Sequence, residues 1–239
     1  MEPKEQEQTV GTGGSGGKSD SPDTHIRIDA HIRSNTYIRI KLCGLSRVCD
    51  IEAANELKPD YIGFVFAPGS RRYVPPCRAR ELKEMLLPGI QTVGVFVREA
   101  PEVIAGLLDD GIIDLAQLHG GEDEDYIHRL RELTDRPVIK AFRIDSEEDI
   151  RAAEASSADY ILLDSGSGGT GTAFDWKLLS DMKRPYFLAG GLDPDNAGEA
   201  VRRLKPCGVD VSSGIETEGQ KDKSKMAAFV HAVRKEERL

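Results

Sequence analysis

The sequence has little of what marks several common classes of protein. Its four cysteines form no C-x-x-C pair and accompany no histidine cluster, so neither a structural zinc site nor a disulfide framework is expected. Basic residues number 32 against 41 acidic ones, and the net charge of −9 disfavours nucleic acid and anionic membranes as partners. No apolar run approaches the roughly 20 residues that a membrane helix needs. The N-terminus is polar and acidic, unlike a secretory signal or a transit peptide, so we expect a reduced, cytoplasmic protein with mostly buried thiols.

Residues 1–36 differ in composition from the rest of the chain. The run from Gly11 to Gly17 is glycine, serine and threonine, which cannot offset its ordering entropy by burial. The Gly-Lys-Ser at 17–19 suggests a phosphate-binding P-loop, but Thr12 stands where that motif needs its first glycine, and no strand precedes it. We therefore expect residues 1–36 to be a flexible N-terminal extension and residues 37–239 to form the folded domain.

From Tyr37 onward, short β-rich apolar runs alternate with amphipathic helical segments. The predicted strands are Tyr37–Cys43, Asp60–Phe66, Ile90–Val97, Ile113–His119, Pro137–Phe142, Asp159–Asp164, Pro185–Ala189 and Gly208–Ser212. The predicted helices are Val48–Leu57 with Ser46 as its cap, Cys77–Leu87, Glu102–Leu108, Asp123–Leu133, Ser146–Ala155, Pro194–Leu204 and Asp222–Glu236. Such alternation means parallel pairing through right-handed crossovers. Eight units of nearly constant length predict a single α/β domain, a (β/α)₈ TIM barrel, with a doubly wound open sheet as the alternative.

In a TIM barrel the active site lies at the carboxyl ends of the strands. This rule selects one ring of candidate residues: Cys43, Arg71, Arg72, His119, Asp164, Gly190, Gly191, Ser213 and Gly214. The glycine-containing segments "AGGLDPDN" and "VSSGIET" follow the last two strands, whose loops commonly bind a phosphate in this fold through backbone N–H groups. Either segment alone could simply make a turn, but two such segments after neighbouring strands favour a phosphate site.

Two of these residues could transfer protons. Cys43 ends the first strand, and Lys41 lies two residues earlier on the same face, where a cation would lower the pKa of the thiol. Asp164 ends the sixth strand, and partial desolvation would raise its pKa so that it could donate a proton. The alternatives are an inert buried cysteine and a carboxylate that caps the glycine-rich loop 165–172, which is itself a candidate lid.

The remaining candidates could bind substrate. A guanidinium of Arg71 or Arg72 could bind a carboxylate through two hydrogen bonds, although at least one of the two is expected to be solvated. His119 could donate a hydrogen bond to substrate or orient the loops around it.

Several segments, taken together and in this order, resemble the phosphoribosylanthranilate isomerase family. They include "IKLCGLSR", "GFVFAPGSRRYV", "AQLHG", "YILLD", "LAGGLDPDN" and "GVDVSSGIET", and the resemblance runs from about Tyr37 to the C-terminus. It implies an Amadori rearrangement of N-(5′-phosphoribosyl)anthranilate in tryptophan biosynthesis, with no cofactor and no metal. The phosphorylated small-molecule substrate is the implied ligand, and we expect a monomer or a homodimer.

The resemblance also implies roles for individual residues. Cys43 becomes the general base, Asp164 the general acid and Arg72 the ligand of the anthranilate carboxylate. The phosphate falls on the loops that contain Gly190, Gly191, Ser213 and Gly214, and His119 is a further substrate-binding candidate. Asp210 matches a family position without an assigned role, and Thr172 stands where the family often has a lysine.

Two other functions are weighed against this one. The first is a related phosphate-binding barrel of another pathway step, which would use a lysine or paired carboxylates in place of a first-strand cysteine. The second is a non-catalytic barrel that binds a partner through its N-terminal extension.

Overall fold

The computed structural model of the protein describes Met1, residues 37–164, Leu179 and residues 182–237. Within these residues the strands are β1 (Arg39–Cys43), β2 (Tyr61–Val65), β3 (Gln91–Phe96), β4 (Leu115–Leu118), β5 (Val138–Arg143), β6 (Tyr160–Asp164), β7 (Tyr186–Ala189) and β8 (Gly208–Val211). The helices are α1 (Val48–Leu57), α2 (Pro76–Glu84), α3 (Pro101–Asp109), α4 (Glu124–Arg131), α5 (Glu147–Ala155), α6 (Ala197–Leu204) and α7 (Lys223–Glu236). A 3₁₀ turn, Ser213–Ile215, and an antiparallel hairpin of β9 (Glu216–Thr217) and β10 (Gln220–Lys221) connect β8 to α7.

The eight strands β1 to β8 form a closed parallel barrel in chain order. The barrel closes between β1 and β8, where Lys41 pairs in register with Asp210. On its other side β1 pairs with β2, which places Cys43 beside Gly63. The predicted TIM barrel is confirmed, and the open doubly wound sheet is wrong.

Side chains alternate between the inside and the outside of the barrel, as the period of two in a strand requires. The interior holds Tyr61, Val93, Leu115, Ile139, Tyr160, Leu162, Phe187 and Ala189. Phe187 lies edge-on to Tyr61 and Tyr160, with ring centroids 5.9 and 6.0 Å away. The alternate positions pack outward against the helices in the larger apolar core. Each fully buried side chain of this size contributes roughly 1.5–3 kcal/mol, so both layers stabilise the closed sheet.

The helix α1 has the predicted bounds, but its N-terminal cap differs from the prediction. The structure begins this helix after Arg47, and Ser46 does not cap it with its side chain. Instead, the carboxylate of Asp50 reaches back and accepts hydrogen bonds from the backbone N–H groups of Ser46 and Arg47, both at 3.0 Å. A carboxylate in the first turn satisfies these otherwise unpaired donors and complements the helix dipole.

The helix α6 begins later than predicted. Pro194 lies in a turn, and the helix begins at Ala197 with Asn196 as its N-cap. The Asp193 carboxylate accepts hydrogen bonds from the backbone N–H groups of Asp195 and Asn196, at 2.8 and 3.0 Å. Asp193 therefore caps the turn that leads into the helix.

The cysteines only partly match the expectation of buried thiols. All four belong to the described residues and are free, but Cys49 in α1 and Cys77 in α2 are exposed, so that expectation is wrong for these two. Cys207 is half-buried below β8, where burial raises the pKa of its thiol to about 11. Cys43 is buried.

Two predictions fall on residues that the structure does not describe. They are the flexible extension, which beyond Met1 covers residues 2–36, and the lid at 165–172 with its Thr172. Among the described helices, none is long and apolar enough to cross a membrane.

Candidate active site

Cys43 lies at the carboxyl end of β1 and faces the barrel interior, where it packs with Val65 and Val95. Its neighbour in register, Gly63, leaves the space that the thiol occupies. A Cβ atom added to Gly63 would lie 2.7 Å from the Cys43 Sγ, which is closer than real Cβ contacts come. The glycine of β2 therefore fixes where the thiol can sit.

A buried ion pair lies one layer below this thiol. Lys41 is fully buried, and its Nζ lies 2.9 Å from Oδ1 of Asp210 across the β1–β8 seam. Burial alone would lower the pKa of Lys41, but the Asp210 carboxylate and the Cys43 sulfur raise it on balance, so the lysine stays charged. The pair keeps a cation inside an otherwise apolar barrel.

The pKa of Cys43 differs from the expectation. Lys41 and the more distant Lys221 do favour the thiolate, but burial of the thiol outweighs them, and the Asp210 carboxylate adds to the effect of burial. The pKa of Cys43 is therefore raised above its ordinary value. Lys41 does act to lower the pKa of Cys43, as predicted. The prediction that this pKa is lowered on balance is wrong.

Asp164 and His119 meet at the same mouth of the barrel. Asp164 lies two residues after Leu162, which faces the interior, and its side chain is 28% exposed. His119 Nε2 lies 3.5 Å from Asp164 Oδ2, and His119 Nδ1 lies 3.0 Å from Nε2 of Gln117. With the Gln117 amide as donor, the imidazole proton is on Nε2 and points toward the carboxylate.

Arg72 extends over the end of β1. A Cβ atom added to Gly44, the residue after Cys43, would lie 2.5 Å from the Arg72 Cδ, so the glycine makes room for the arginine stem. The guanidinium donates two hydrogen bonds to Glu216, from Nε to Oε1 at 2.6 Å and from Nη2 to Oε2 at 3.0 Å. Arg71 is 61% exposed but also donates to Glu216 Oε2, at 2.6 Å.

The loops after β7 and β8 are in direct contact. Gly190 and Gly191 have φ angles of +83° and +65°, a region that favours glycine. A Cβ atom on Gly214 would overlap the carbonyl oxygen of Leu192, so the second loop approaches the first as closely as a glycine allows. Ser213 lies in the same 3₁₀ turn as Gly214, so the predicted phosphate residues of the two loops belong to neighbouring segments.

A sequence model of the family described as "N-(5'phosphoribosyl)anthranilate (PRA) isomerase" matches residues 40–232. The chain belongs to this family. It is therefore an enzyme, an aldose–ketose isomerase of tryptophan biosynthesis. The assignment decides against the two alternatives weighed from the sequence, a barrel of another pathway step and a non-catalytic barrel.

Individual phosphoribosylanthranilate isomerases are similar over most of the chain. The protein of Endomicrobium trichonymphae is 47% identical over 200 residues, which cover 82% of this chain and 98% of that protein. The crystal structure of the Thermotoga maritima enzyme is 35% identical and covers 83% of this chain and 100% of that one, with a TM-score of 0.75. A second structure of the family, in complex with reduced 1-(o-carboxyphenylamino)-1-deoxyribulose 5-phosphate, is 34% identical. It covers 83% of this chain and 100% of that one, with a TM-score of 0.73.

One charged cluster at the mouth of this isomerase is not predicted from the sequence. Glu216 is buried and pairs with Arg71, Arg72 and Lys221, the last through Nζ at 2.7 Å. Burial would raise the pKa of Glu216, but the hydrogen bonds from Arg72 and Lys221 outweigh it and lower the pKa to about 2. One signal for this cluster is present in the sequence. Glu216 lies in a predicted phosphate loop, where a carboxylate would repel the phosphate unless cations surrounded it.

Lys221 brings this cluster close to the cysteine. Its Nζ donates hydrogen bonds to the carbonyl oxygen and the Oγ of Ser212, at 2.8 and 3.2 Å. The Ser212 hydroxyl in turn donates to the carbonyl oxygen of Cys43, at 3.2 Å. Across residues 37–164 and 182–237, no group of three His, Cys, Asp or Glu side chains could hold a metal ion.

Proposed function

We propose that this isomerase rearranges N-(5′-phosphoribosyl)anthranilate to 1-(2-carboxyphenylamino)-1-deoxyribulose 5-phosphate, with Cys43 as general base and Asp164 as general acid. The observation that supports the proposal is that Cys43 and Asp164 are the last residues of β1 and β6. Both strands are parallel members of one closed barrel, so both residues lie at the same mouth. Active sites of this fold lie at that mouth.

In the first step, Asp164 gives a proton to the furanose ring oxygen. The bond between this oxygen and C1 breaks, and the lone pair of the anthranilate nitrogen forms a C1=N iminium. The partly exposed position of Asp164 suits this role, because the carboxyl can reach a sugar in the mouth and exchange its proton with water afterwards.

In the second step, the Cys43 thiolate takes the proton from C2. The electron pair of the C2–H bond forms a C1=C2 double bond and neutralises the iminium, and the resulting enolamine tautomerises to the ketone. The positive charges of Lys41 and Lys221 stabilise the thiolate and partly offset the effect of burial. Each proton transfer to or from a positioned side chain is typically worth about 10²–10⁴-fold in rate.

The rest of the mouth provides groups that fit the two ends of the substrate. The guanidinium of Arg72 suits the anthranilate carboxylate, and the two glycine loops suit the phosphate. His119 lies beside Asp164 and can orient the sugar hydroxyls. The complex of a related isomerase with a reduced carboxyphenylamino deoxyribulose phosphate supports the same class of ligand for this chain.

The assignment is tested by turnover, followed as loss of the anthranilate fluorescence of the substrate. Cys43→Ser and Asp164→Asn should each lower kcat by about 10²–10⁴-fold. Cys49→Ser and Asp109→Asn are matched controls, since both positions are exposed on helices, and they should leave kcat unchanged. Rates near those of the wild type in either site variant would remove that residue from the mechanism.

The substrate-binding role of Arg72 has a separate readout. Arg72→Ala should raise KM, because a charge-assisted pair with the substrate carboxylate is lost. The variant also loses two hydrogen bonds to Glu216 and should be less stable, but it should still fold because Glu216 keeps Arg71 and Lys221 as partners. An unchanged KM would place the carboxylate elsewhere.

A further inference from the structure

Glu216 is the centre of a charge cluster that also contains Arg71, Arg72 and Lys221. Its two carboxylate oxygens accept four hydrogen bonds from these three cations, at 2.6 to 3.0 Å. The Glu216 side chain is only 4% exposed, whereas those of Arg71 and Arg72 are 61% and 23% exposed. The anion is therefore enclosed and the guanidinium groups border the mouth.

The charges in this cluster do not balance. Three cations surround one carboxylate, which leaves an excess of two positive charges near the end of β1. In the described part of the chain, these three cations have no other ion-pair partner. A second anion brought into the mouth would meet an attractive potential that Glu216 alone does not cancel.

The geometry of Arg72 depends on Glu216. The carboxylate binds Nε and Nη2, which is one edge of the guanidinium plane, so the arginine cannot rotate without losing both bonds. The opposite edge, with Nη1, takes no part in this pairing. A guanidinium has five N–H donors in a fixed fork, so it can serve an internal carboxylate and an external one at once.

We infer that Glu216 is a positioning residue, which holds the guanidinium of Arg72 so that its remaining donors select a substrate that carries a carboxylate in addition to its phosphate. The inference rests on the proposed role of Arg72 and extends it to a residue that acts only through Arg72. Glu216 thereby sets specificity for the anthranilate end of the substrate, and it takes no part in proton transfer.

The test measures binding without turnover. Two inhibitors are compared, the reduced 1-(o-carboxyphenylamino)-1-deoxyribulose 5-phosphate and the same compound with a phenyl group in place of the carboxyphenyl group. The dissociation constant of the phenyl compound divided by that of the carboxyphenyl compound measures discrimination for the carboxylate, and a high ratio means strong discrimination. Glu216→Gln should lower this ratio by about 10- to 100-fold, the range for a hydrogen bond to a charged group, and should raise KM with kcat changed less than KM.

Controls separate positioning from a general structural effect. Glu218→Gln removes an exposed carboxylate from the same hairpin and should keep the wild-type ratio. Glu216→Asp keeps the charge but withdraws it by one methylene group, and its ratio should lie between those of Glu216→Gln and the wild type. In an Arg72→Ala background, Glu216→Gln should change the ratio no further, since residues that act through one another are not additive.

Each outcome decides the inference. A wild-type ratio in Glu216→Gln would overturn it, as would a higher ratio, which would mean that Glu216 competes with the substrate for Arg72. If Glu216→Gln does not fold, Glu216→Asp decides alone, and a wild-type ratio in that variant overturns the inference. A failure of the proposed catalytic roles appears instead in the kcat values of Cys43→Ser and Asp164→Asn, which leave the inhibitor ratio untouched.

Discussion

Lys41 and Asp210 form a salt bridge inside the barrel, across the seam where β8 closes onto β1, with Nζ and Oδ1 2.9 Å apart. The pair lies directly below the reactive end of β1, so it contributes to two properties at once. It joins the first and last strands, and it places a cation and an anion next to the Cys43 thiol.

The first prediction concerns the stability of this seam. Lys41→Met and Asp210→Leu should each destabilise the protein by about 3–5 kcal/mol, because each leaves one buried charge without its partner. The double variant removes both charges and should be more stable than either single variant. Urea unfolding measures the three free energies.

A surface pair serves as the control for this measurement. Arg78 and Glu81 form an exposed salt bridge in α2, and Arg78→Met should change stability by less than about 1 kcal/mol. A double variant of the seam that is as unstable as the sum of its single variants would contradict the prediction, since it would mean that the two charges do not interact.

The second prediction is the pH dependence of kcat/KM, which reports ionisations of the free enzyme. Burial raises the pKa of Cys43, and its thiolate forms only as pH rises through that value. In Asp164→Asn, which has no carboxyl to titrate at that position, the residual kcat/KM should therefore still be rising at about pH 8.5, the ordinary pKa of a free thiol. This is the result expected if the thiolate is the base.

Two further substitutions, each made in the Asp164→Asn variant, should move this profile in opposite directions. Lys41→Met removes a cation that stabilises the thiolate, so the rising limb should shift to higher pH. Asp210→Asn removes an anion that opposes the thiolate, so the limb should shift to lower pH. Shifts of the same sign in both variants would assign the limb to a group other than Cys43.

Much of the fold was readable from the sequence because it follows from local patterns. The alternation of β-rich runs with helices predicted eight parallel strands, and the ends of the strands then predicted that Cys43 and Asp164 belong to one mouth. The face of a helix that turns toward the barrel is harder to read in short segments. For this reason Cys49 and Cys77 were expected to be buried and are exposed.

The charge cluster around Glu216 could not be read from local pattern. Arg72 and Glu216 are 144 residues apart. Arg72 lies in the loop after β2 and Glu216 in the two-residue strand β9, and both segments are too short or irregular to show a periodic pattern. Only the closure of β8 onto β1 brings the two segments together. The net effect on the Cys43 pKa has the same origin, because it depends on how deeply the thiol is buried, which the spacing of Lys41 and Cys43 does not contain.

The third prediction uses the close contact between Gly63 and Cys43. Gly63→Ala should push the thiol from its place, since the new Cβ would lie 2.7 Å from Sγ. We expect kcat to fall by about tenfold or more, because small misplacements of a reacting group are costly. Overpacking should also lower stability by about 1–3 kcal/mol. Gly106→Ala is the matched control, since nothing lies within 4 Å of the added atom and an alanine within α3 should be neutral or stabilising.

The last prediction tests the contact between the loops that follow β7 and β8. In Gly214→Ala the new Cβ would overlap the Leu192 carbonyl oxygen, so the two loops must separate. If backbone groups of both loops bind the phosphate, the inhibition constant of inorganic phosphate should rise by about tenfold, with a smaller change in kcat. Melting temperatures of this variant and of Gly106→Ala show how much of the effect is lost stability. An unchanged inhibition constant in a folded Gly214→Ala variant would mean that the phosphate binds away from these two loops.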